Sequence, residues 1–200
     1  MRVWLIRHGE SETNRDGLWT GWLDIALSER GREDAEKAGE LLSKTKFDKI
    51  YSSDLLRAKT TAEIAIPNCE YETDPALREI NVGNISGKPW GVVMDEQNRP
   101  MNRDGYKIFG GESNDEFRTR VSGFMNKLEK MEYENVAIFS HGGWLRTALS
   151  IVLDAKLAGD RICCGNCTVA VFEYNGSLWK LSSWINLDRT ERKNETSESR

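Results

Sequence analysis

Two short apolar runs end in the same way, and that repetition constrains the fold more than any other feature of the chain. Val3 to Ile6 lead directly into Arg7-His8-Gly9, and Val136 to Phe139 lead directly into Ser140-His141-Gly142. Neither run alternates with polar residues. That is the pattern of strands covered on both faces by helices, so both read as central strands of a parallel sheet. Further strands are expected at Phe47–Tyr51 and Val169–Tyr174, and "SLWKLSSWINL" alternates as a more exposed edge strand does. Helical patterns lie between the strands. Ala35, Ala38, Leu41 and Leu42 share one face behind Ser28 as N-cap, and "SDLLRAKTTAEIAI" runs to a closing Pro67. Phe117, Val121, Phe124 and Leu128 recur at three- and four-residue steps, and "GWLRTALSIVL" follows the second histidine. Strand–helix alternation of this kind predicts an α/β sandwich with a mainly parallel central sheet.

The 200 residues suit one domain, expected over 1–188, with a polar and disordered tail over 189–200. The stretch 81–111 is rich in Gly, Asn and Pro and weakly periodic, which reads as a substrate-facing loop or lid. A net charge of −4 gives no global basic field, so neither nucleic acid nor an anionic membrane is an expected partner. No apolar run is long enough to cross a bilayer, and "MRVWLIRHGE" lacks the apolar region of a signal peptide, which together suggest a cytoplasmic protein. Cys163, Cys164 and Cys167 crowd one segment, but with Cys69 as the only other cysteine they lack a second ligand pair. They read as small thiols buried beside a strand, with no metal and no cofactor implied.

The chain has only two histidines, and both occupy the carboxyl end of an expected central strand, where ligands bind in open α/β sheets. Arg7 adjoins His8, and Arg57 falls about one turn into the helix after a third strand, within reach of the same edge. Ser11, Asn14, Thr20 and Gly21 follow His8 in the adjoining loop, and the helix beginning near Gly142 offers backbone N–H groups. Planar guanidinium forks with amide and hydroxyl donors suit a tetrahedral phosphoryl dianion. No GxxxxGK[ST] loop and no magnesium-holding aspartate cluster is present, so a histidine attacking phosphorus directly is the chemistry this set favours. The leaving oxygen then needs a proton from a carboxylic acid. Glu79 precedes the irregular loop, although spacing alone singles out no acid among the 32.

"LIRHGESETN", "GLWTGWLDIALSERGREDAEKAGELL", "IYSSDLLRAKTTAEIA", "LREINVGNISG", "FSHGGWLRTAL" and "NCTVAVFEY" resemble, in order, blocks of the histidine phosphatase superfamily, the phosphoglycerate mutase-like family. The resemblance implies a three-layer α/β/α sandwich that needs no metal. It implies His8 as the nucleophile that becomes phosphorylated, with Arg7, Arg57 and His141 lining the phosphate pocket and Asn14 as a further donor. It implies Glu79 as the acid that protonates the leaving group and then the base that activates water, and it places Thr20 and Gly21 against substrate. One block departs from the family: "GNISG" carries Ser86 where a glutamate is frequent.

The superfamily divides into mutases and phosphatases. "TGWLDIALSERG" resembles the mutase branch, but the stretch between Glu79 and His141 is short. Its basic residues, Lys88, Arg99, Arg103, Lys107, Arg118 and Arg120, form no adjacent arginine pair. A short lid leaves a phosphohistidine open to water, which favours a phosphatase acting on a small phosphorylated metabolite. Length and opening resemble alpha-ribazole phosphatase as well as broad-specificity and sugar-phosphate phosphatases. Trp90, Met94, Met101, Tyr106 and Phe109 lend the lid an apolar character suited either to a bulky leaving group or to packing the loop down. A non-catalytic phosphate-binding module is disfavoured because the whole pocket set is present, and a metalloenzyme because the flanking arginines repel a divalent cation.

Overall fold

A computed structural model of the chain describes residues 1–93, 104–155 and 162–187. Its elements run β1 (Arg2–Arg7), α1 (Glu12–Arg15), α2 (Glu29–Leu42), β2 (Lys49–Ser52), α3 (Leu56–Ala65) and β3 (Glu72–Thr73). They continue with α4 (Trp90–Val93), α5 (Asn114–Leu128), β4 (Asn135–Ser140), α6 (Gly142–Val152), β5 (Val169–Tyr174) and β6 (Trp179–Ile185). The strands form one sheet in the order β3-β2-β4-β1-β5-β6. β3, β2, β4 and β1 pair in parallel, whereas β5 runs antiparallel to β1 and β6 antiparallel to β5. The sheet is therefore mixed, with a parallel part from β3 to β1 and an antiparallel pair, β5 and β6, on its other side.

Alternation along each strand sorts side chains between two apolar layers. Val3, Leu5, Tyr51, Val136 and Ile138 join Phe117, Val121, Phe124 and Leu128 of α5 and Trp144 and Leu145 of α6. Ile6, Ile50, Ala137 and Phe139 point the other way and meet Leu42 of α2 with Ala62 and Ala65 of α3. Helices thus cover both faces, giving the three-layer arrangement. All four apolar residues expected on the α5 face are buried in it, and β6 occupies a sheet edge. Ser28 caps α2 as expected, accepting from Gly31 N at 3.1 Å. α3 has no cap of its own. Asp24 from a preceding loop accepts the Leu56 N–H at 2.6 Å and satisfies that end from outside.

Three expectations need adjusting. β2 begins at Lys49 rather than Phe47, whose ring lies edge-on to Trp4 instead. The stretch 81–111 contains short helical turns at Gly83–Ile85, Trp90–Val93 and Lys107–Phe109. Met94, Arg99, Met101, Arg103 and the tail 189–200 lie outside the described residues. Of the cysteines, Cys164 and Cys167 are buried, Cys69 half-buried and Cys163 exposed, and none of the four is in a disulfide.

Two glycines lock the start of α2 against the chain after β1. A Cβ on Gly9 would fall on the Gly31 carbonyl, and one on Gly31 would fall on the Glu10 carbonyl. Gly9 serves this close approach of two backbones, not a left-handed turn. By contrast Gly123, exposed in the middle of α5, has open space around it. Gly31→Ala is expected to lower Tm by about 3 °C or more, because backbone must shift, while Gly123→Ala raises it by about 2 °C through helix propensity. Thermal melts of the two variants check the pair.

Candidate active site

The register of β1 on β4 places Arg7 opposite Ser140, so the residues that follow, His8 and His141, emerge side by side. Their ring centroids are 5.1 Å apart. β2 pairs with the other side of β4, and Ser53, just beyond it, donates its N–H to Phe139 O at 2.9 Å. Three neighbouring strand ends therefore deliver His8, His141 and Ser53 to one edge. α3 adds Arg57, and Thr61 on the same helix accepts from Gly9 N at 3.0 Å, tying that helix to the histidine loop.

Hydrogen-bond accounting fixes the imidazole roles. His8 Nδ1 lies 2.6 Å from Gly9 O, and since a carbonyl only accepts, Nδ1 carries the proton and Nε2 the free lone pair. Arg57 Nε donates to that lone pair at 3.2 Å. Two more of its N–H groups hold backbone, Nη1 donating to Leu23 O and Nη2 to Gly21 O, both at 2.8 Å, and each of these nitrogens carries a second N–H. Gly21 reaches this position with a left-handed φ of 50°, and a Cβ there would meet Val82. His141 Nε2 lies 2.9 Å from Ser53 Oγ, which itself accepts from Leu55 N. The contact fits either tautomer; with Ser53 as the donor to Nε2, the His141 proton sits on Nδ1. Three buried polar atoms at the site have no protein partner: His141 Nδ1, Arg7 Nε and, in the cavity wall, Trp19 Nε1. Arg7 is anchored from behind by the Cys164 carbonyl, which accepts from Nη1.

The electrostatics follow from burial. Desolvation, with Arg57 beside both rings, holds His8 and His141 well below the ordinary imidazole value. Burial also lowers Arg7 and brings Arg57 down to about 10. Both imidazoles are thus neutral and both guanidiniums charged near neutral pH. The unfolded chain binds protons on these histidines more readily than the folded one. Their contribution to stability is therefore complete above about pH 6.5 and is lost as pH falls through the interval below it.

Glu79 faces this cluster from the loop after the Pro75–Leu77 turn. Its Oε1 accepts from Ile80 N at 2.9 Å and its Oε2 from Gly143 N at 3.0 Å, in the first turn of α6. A Cβ at Gly143 would collide with the Glu79 carboxylate. The cavity they enclose measures about 360 Å³. Arg7, His8, Arg57, Glu79, Asn14, Thr20 and Gly21 line it, as does Gly143. Three sequence candidates do not: His141, Ser11 and Gly142. His141 is wholly buried, against Ser53 and the His8 ring. Ser11 is fully buried as the N-cap of α1, its hydroxyl engaged with Asn14 N and Thr13. Gly142 is covered by Arg7, and its neighbour Gly143 takes the place at the cavity wall.

Arg146, Trp19 and Ser53 were not among the sequence candidates. Arg146 sits one turn beyond His141 on α6 and lines the cavity. The available signal is a basic side chain in the first turns of the helix that follows a candidate histidine. Ser53 had a similar signal, directly after an expected strand. Trp19 had none. It packs edge-on to Tyr106 at 5.7 Å, and together with Trp90, Leu18, Ile80 and Val82 the two form an apolar wall facing the cationic end. Burial pushes the Tyr106 hydroxyl up to about 12, so it stays protonated.

A three-layer sandwich with paired histidines at its parallel strand ends has the architecture of the phosphoglycerate mutase-like α/β proteins. The chain belongs to the histidine phosphatase superfamily (branch 1), whose family model matches residues 3–187. It is 30% identical to "Phosphoglycerate mutase-like protein 4" of Arabidopsis thaliana, over 94% of this chain and 86% of that one. The "putative alpha-ribazole-5'-P phosphatase" of Escherichia coli superposes with a TM-score of 0.80 at 26% identity, covering 93% of this chain and 96% of that one. A histidine-to-alanine mutant of phosphoserine phosphatase from Entamoeba histolytica, in complex with phosphoserine, superposes with a TM-score of 0.79 at 25% identity. It covers 92% of this chain and 95% of that one.

With only two histidines, imidazole ¹⁵N spectra are assigned by one substitution each. Both rings are expected to read neutral at pH 6.0, His8 with its proton on Nδ1. A titration midpoint near 6.5 for either ring would refute the electrostatic account.

Proposed function

We propose that the chain is a metal-independent phosphomonoesterase that acts through a phosphohistidine on His8. The observation that carries this reading is the His8 lone pair itself. It faces the cavity, where its one hydrogen bond, from Arg57 Nε, would give way to a phosphoryl group; Gly9 orients the ring from behind, with the unpartnered Arg7 Nε and His141 Nδ1 nearby. Those groups, with Arg57, suit the equatorial oxygens of a transferring phosphoryl group, whose charge they are already arranged to meet. His8 Nε2 attacks phosphorus, the bond to the leaving oxygen breaks, and the protonated Glu79 carboxyl transfers its proton to that oxygen. Glu79, now a carboxylate, takes a proton from water. The resulting hydroxide attacks phosphorus, the P–N bond breaks, and orthophosphate and neutral His8 are released.

The substrate class is a small phosphorylated metabolite. Relatives support both a phosphatase and a mutase, and the stretch after Glu79 supports the phosphatase. A mutase needs free cations to hold a second phosphoryl group. Among the described residues between Glu79 and His141, Lys107 pairs with Glu116 at 2.6 Å, Arg118 donates to Ser150 and Arg120 is engaged with Glu112, so the cavity's further cation beyond Arg7 and Arg57 is Arg146 on α6. The apolar wall of Trp19, Tyr106 and Trp90 suits the carbon skeleton of a leaving group.

In excess chelator, the wild type is expected to release phosphate from members of a panel of 3-phosphoglycerate, phosphoserine, sugar phosphates, nucleotides and alpha-ribazole phosphate. His8→Ala, with an unchanged melting profile, is expected to release none and to show no acid-labile phosphoenzyme on rapid quench. Near wild-type turnover by His8→Ala would sink the mechanism. Absence of phosphate release combined with phosphoglycerate isomerisation would establish the mutase instead. Glu79→Gln is expected to lower kcat/KM on the order of 100-fold for alkyl phosphates and far less for p-nitrophenyl phosphate, whose leaving group needs no proton.

A further inference from the structure

Glu79 lies in a segment with no strand or helix of its own, so its carboxyl is placed only as well as neighbouring contacts hold the backbone. Those contacts converge on one side chain of α5. Arg120 uses all five of its N–H donors. Nη1 donates to Ala76 O at 3.0 Å and to Arg78 O at 2.7 Å, and Nη2 donates to Glu79 O at 3.1 Å. The remaining two, from Nε and Nη2, go to Glu112 Oε1 and Oε2 at 3.0 and 2.7 Å. Glu112 Oε2 also accepts the Asn81 N–H at 2.8 Å, so the ion pair grips the chain on both sides of Glu79.

Both side chains are mostly buried, 18% and 17% exposed, unlike the solvent-facing Lys107–Glu116 pair at 50% and 51%. The Glu79 carbonyl takes a second donor, Trp22 Nε1 at 2.7 Å. Trp22 in turn stacks on Arg78, which Asp54 holds through two hydrogen bonds. Neither Arg120 nor Glu112 lines the cavity.

We propose that the Arg120–Glu112 pair is the positioning device of the general acid: it holds residues 76–81 so that the Glu79 carboxyl meets the leaving oxygen. The proposal rests on the reading of Glu79 as proton donor. Its chemical signature is selective. Displacing an acid by about 1 Å costs on the order of 100-fold where the leaving group requires the proton and little where it does not. A pair that merely stabilised the fold would lower both rates together or neither.

The test compares kcat/KM, which reports the first phosphoryl transfer, for an alkyl phosphate and for p-nitrophenyl phosphate. The proteins are wild type, Arg120→Gln, Glu112→Gln, Glu79→Gln and the Arg120→Gln/Glu79→Gln double variant, each with a thermal melt. Arg120→Gln is expected to lose about 30- to 100-fold on the alkyl ester and under about threefold on the aryl ester. The double variant is expected to match Glu79→Gln within about twofold, because the device acts only through that acid. Glu112→Gln keeps an acceptor for Asn81 and is expected to show the same selectivity with a smaller loss. It carries the test if Arg120→Gln does not fold. Equal losses on the two esters, no loss, or multiplying losses in the double variant would overturn the proposal while leaving the general acid in place. A Glu79→Gln variant without leaving-group dependence would overturn the general acid itself.

Discussion

The parallel register between β1 and β4 is the constraint on which everything else rests. Because Arg7 pairs with Ser140, two chain segments more than 130 positions apart present their histidines at one level of one sheet edge. A slip by one residue would turn His8 to the opposite face, since side chains alternate along a strand. That slip is resisted by the two core layers at once: it would move Val3 and Leu5 out of the layer formed with α5 and α6, and Ile6 out of the layer formed with α2 and α3. Catalytic placement and core packing are therefore the same fact about the sheet.

The second consequence of that register is electrostatic. It brings two neutral imidazoles beside two guanidiniums at a buried sheet edge, and leaves Arg7 Nε and His141 Nδ1 without protein partners. A buried donor without a partner costs about 1–3 kcal/mol, a cost that the proposed phosphoryl dianion would offset. The same cations that suppress protonation of His8 keep its lone pair available. Nucleophile and anion cradle are made by one set of charges.

The parts of this arrangement that the sequence displayed are those coded locally. The apolar runs, the Ser28 cap, the α5 stripe and the strand–histidine–glycine ends each depend on neighbours within a few positions, and each is found in the fold. What escaped depends on contacts between distant segments. Asp24 caps α3 from 32 positions away, and nothing near Leu55 signals it. Ser11 looks like a phosphate ligand beside His8 until the short α1 claims its hydroxyl. Gly9 suggests a turn, yet its bare α-carbon answers to Gly31 on another element. Ser86, at the departure from the family pattern, donates to Gly83 O at 2.8 Å and closes the turn locally, which no count of family residues reveals.

The proposed nucleophile and the proposed acid are held by different means, and this bears on how such a site can diversify. His8 is fixed by the sheet, so any change there propagates into both core layers. Glu79 is fixed by side chains: Arg120 and Glu112 below, Trp22 beside it, and the Gly143 amide ahead of it. Side-chain ties can be retuned one at a time without altering sheet register. The loop from Glu79 onward, with its apolar partners Ile80 and Val82 in the cavity wall, is thus free to vary in step with the leaving group while phosphoryl capture stays constant. A fold with this division of labour accommodates both esters that leave easily and esters that need a proton, and both hydrolysis and return of the phosphoryl group, by changing the less rigid half alone.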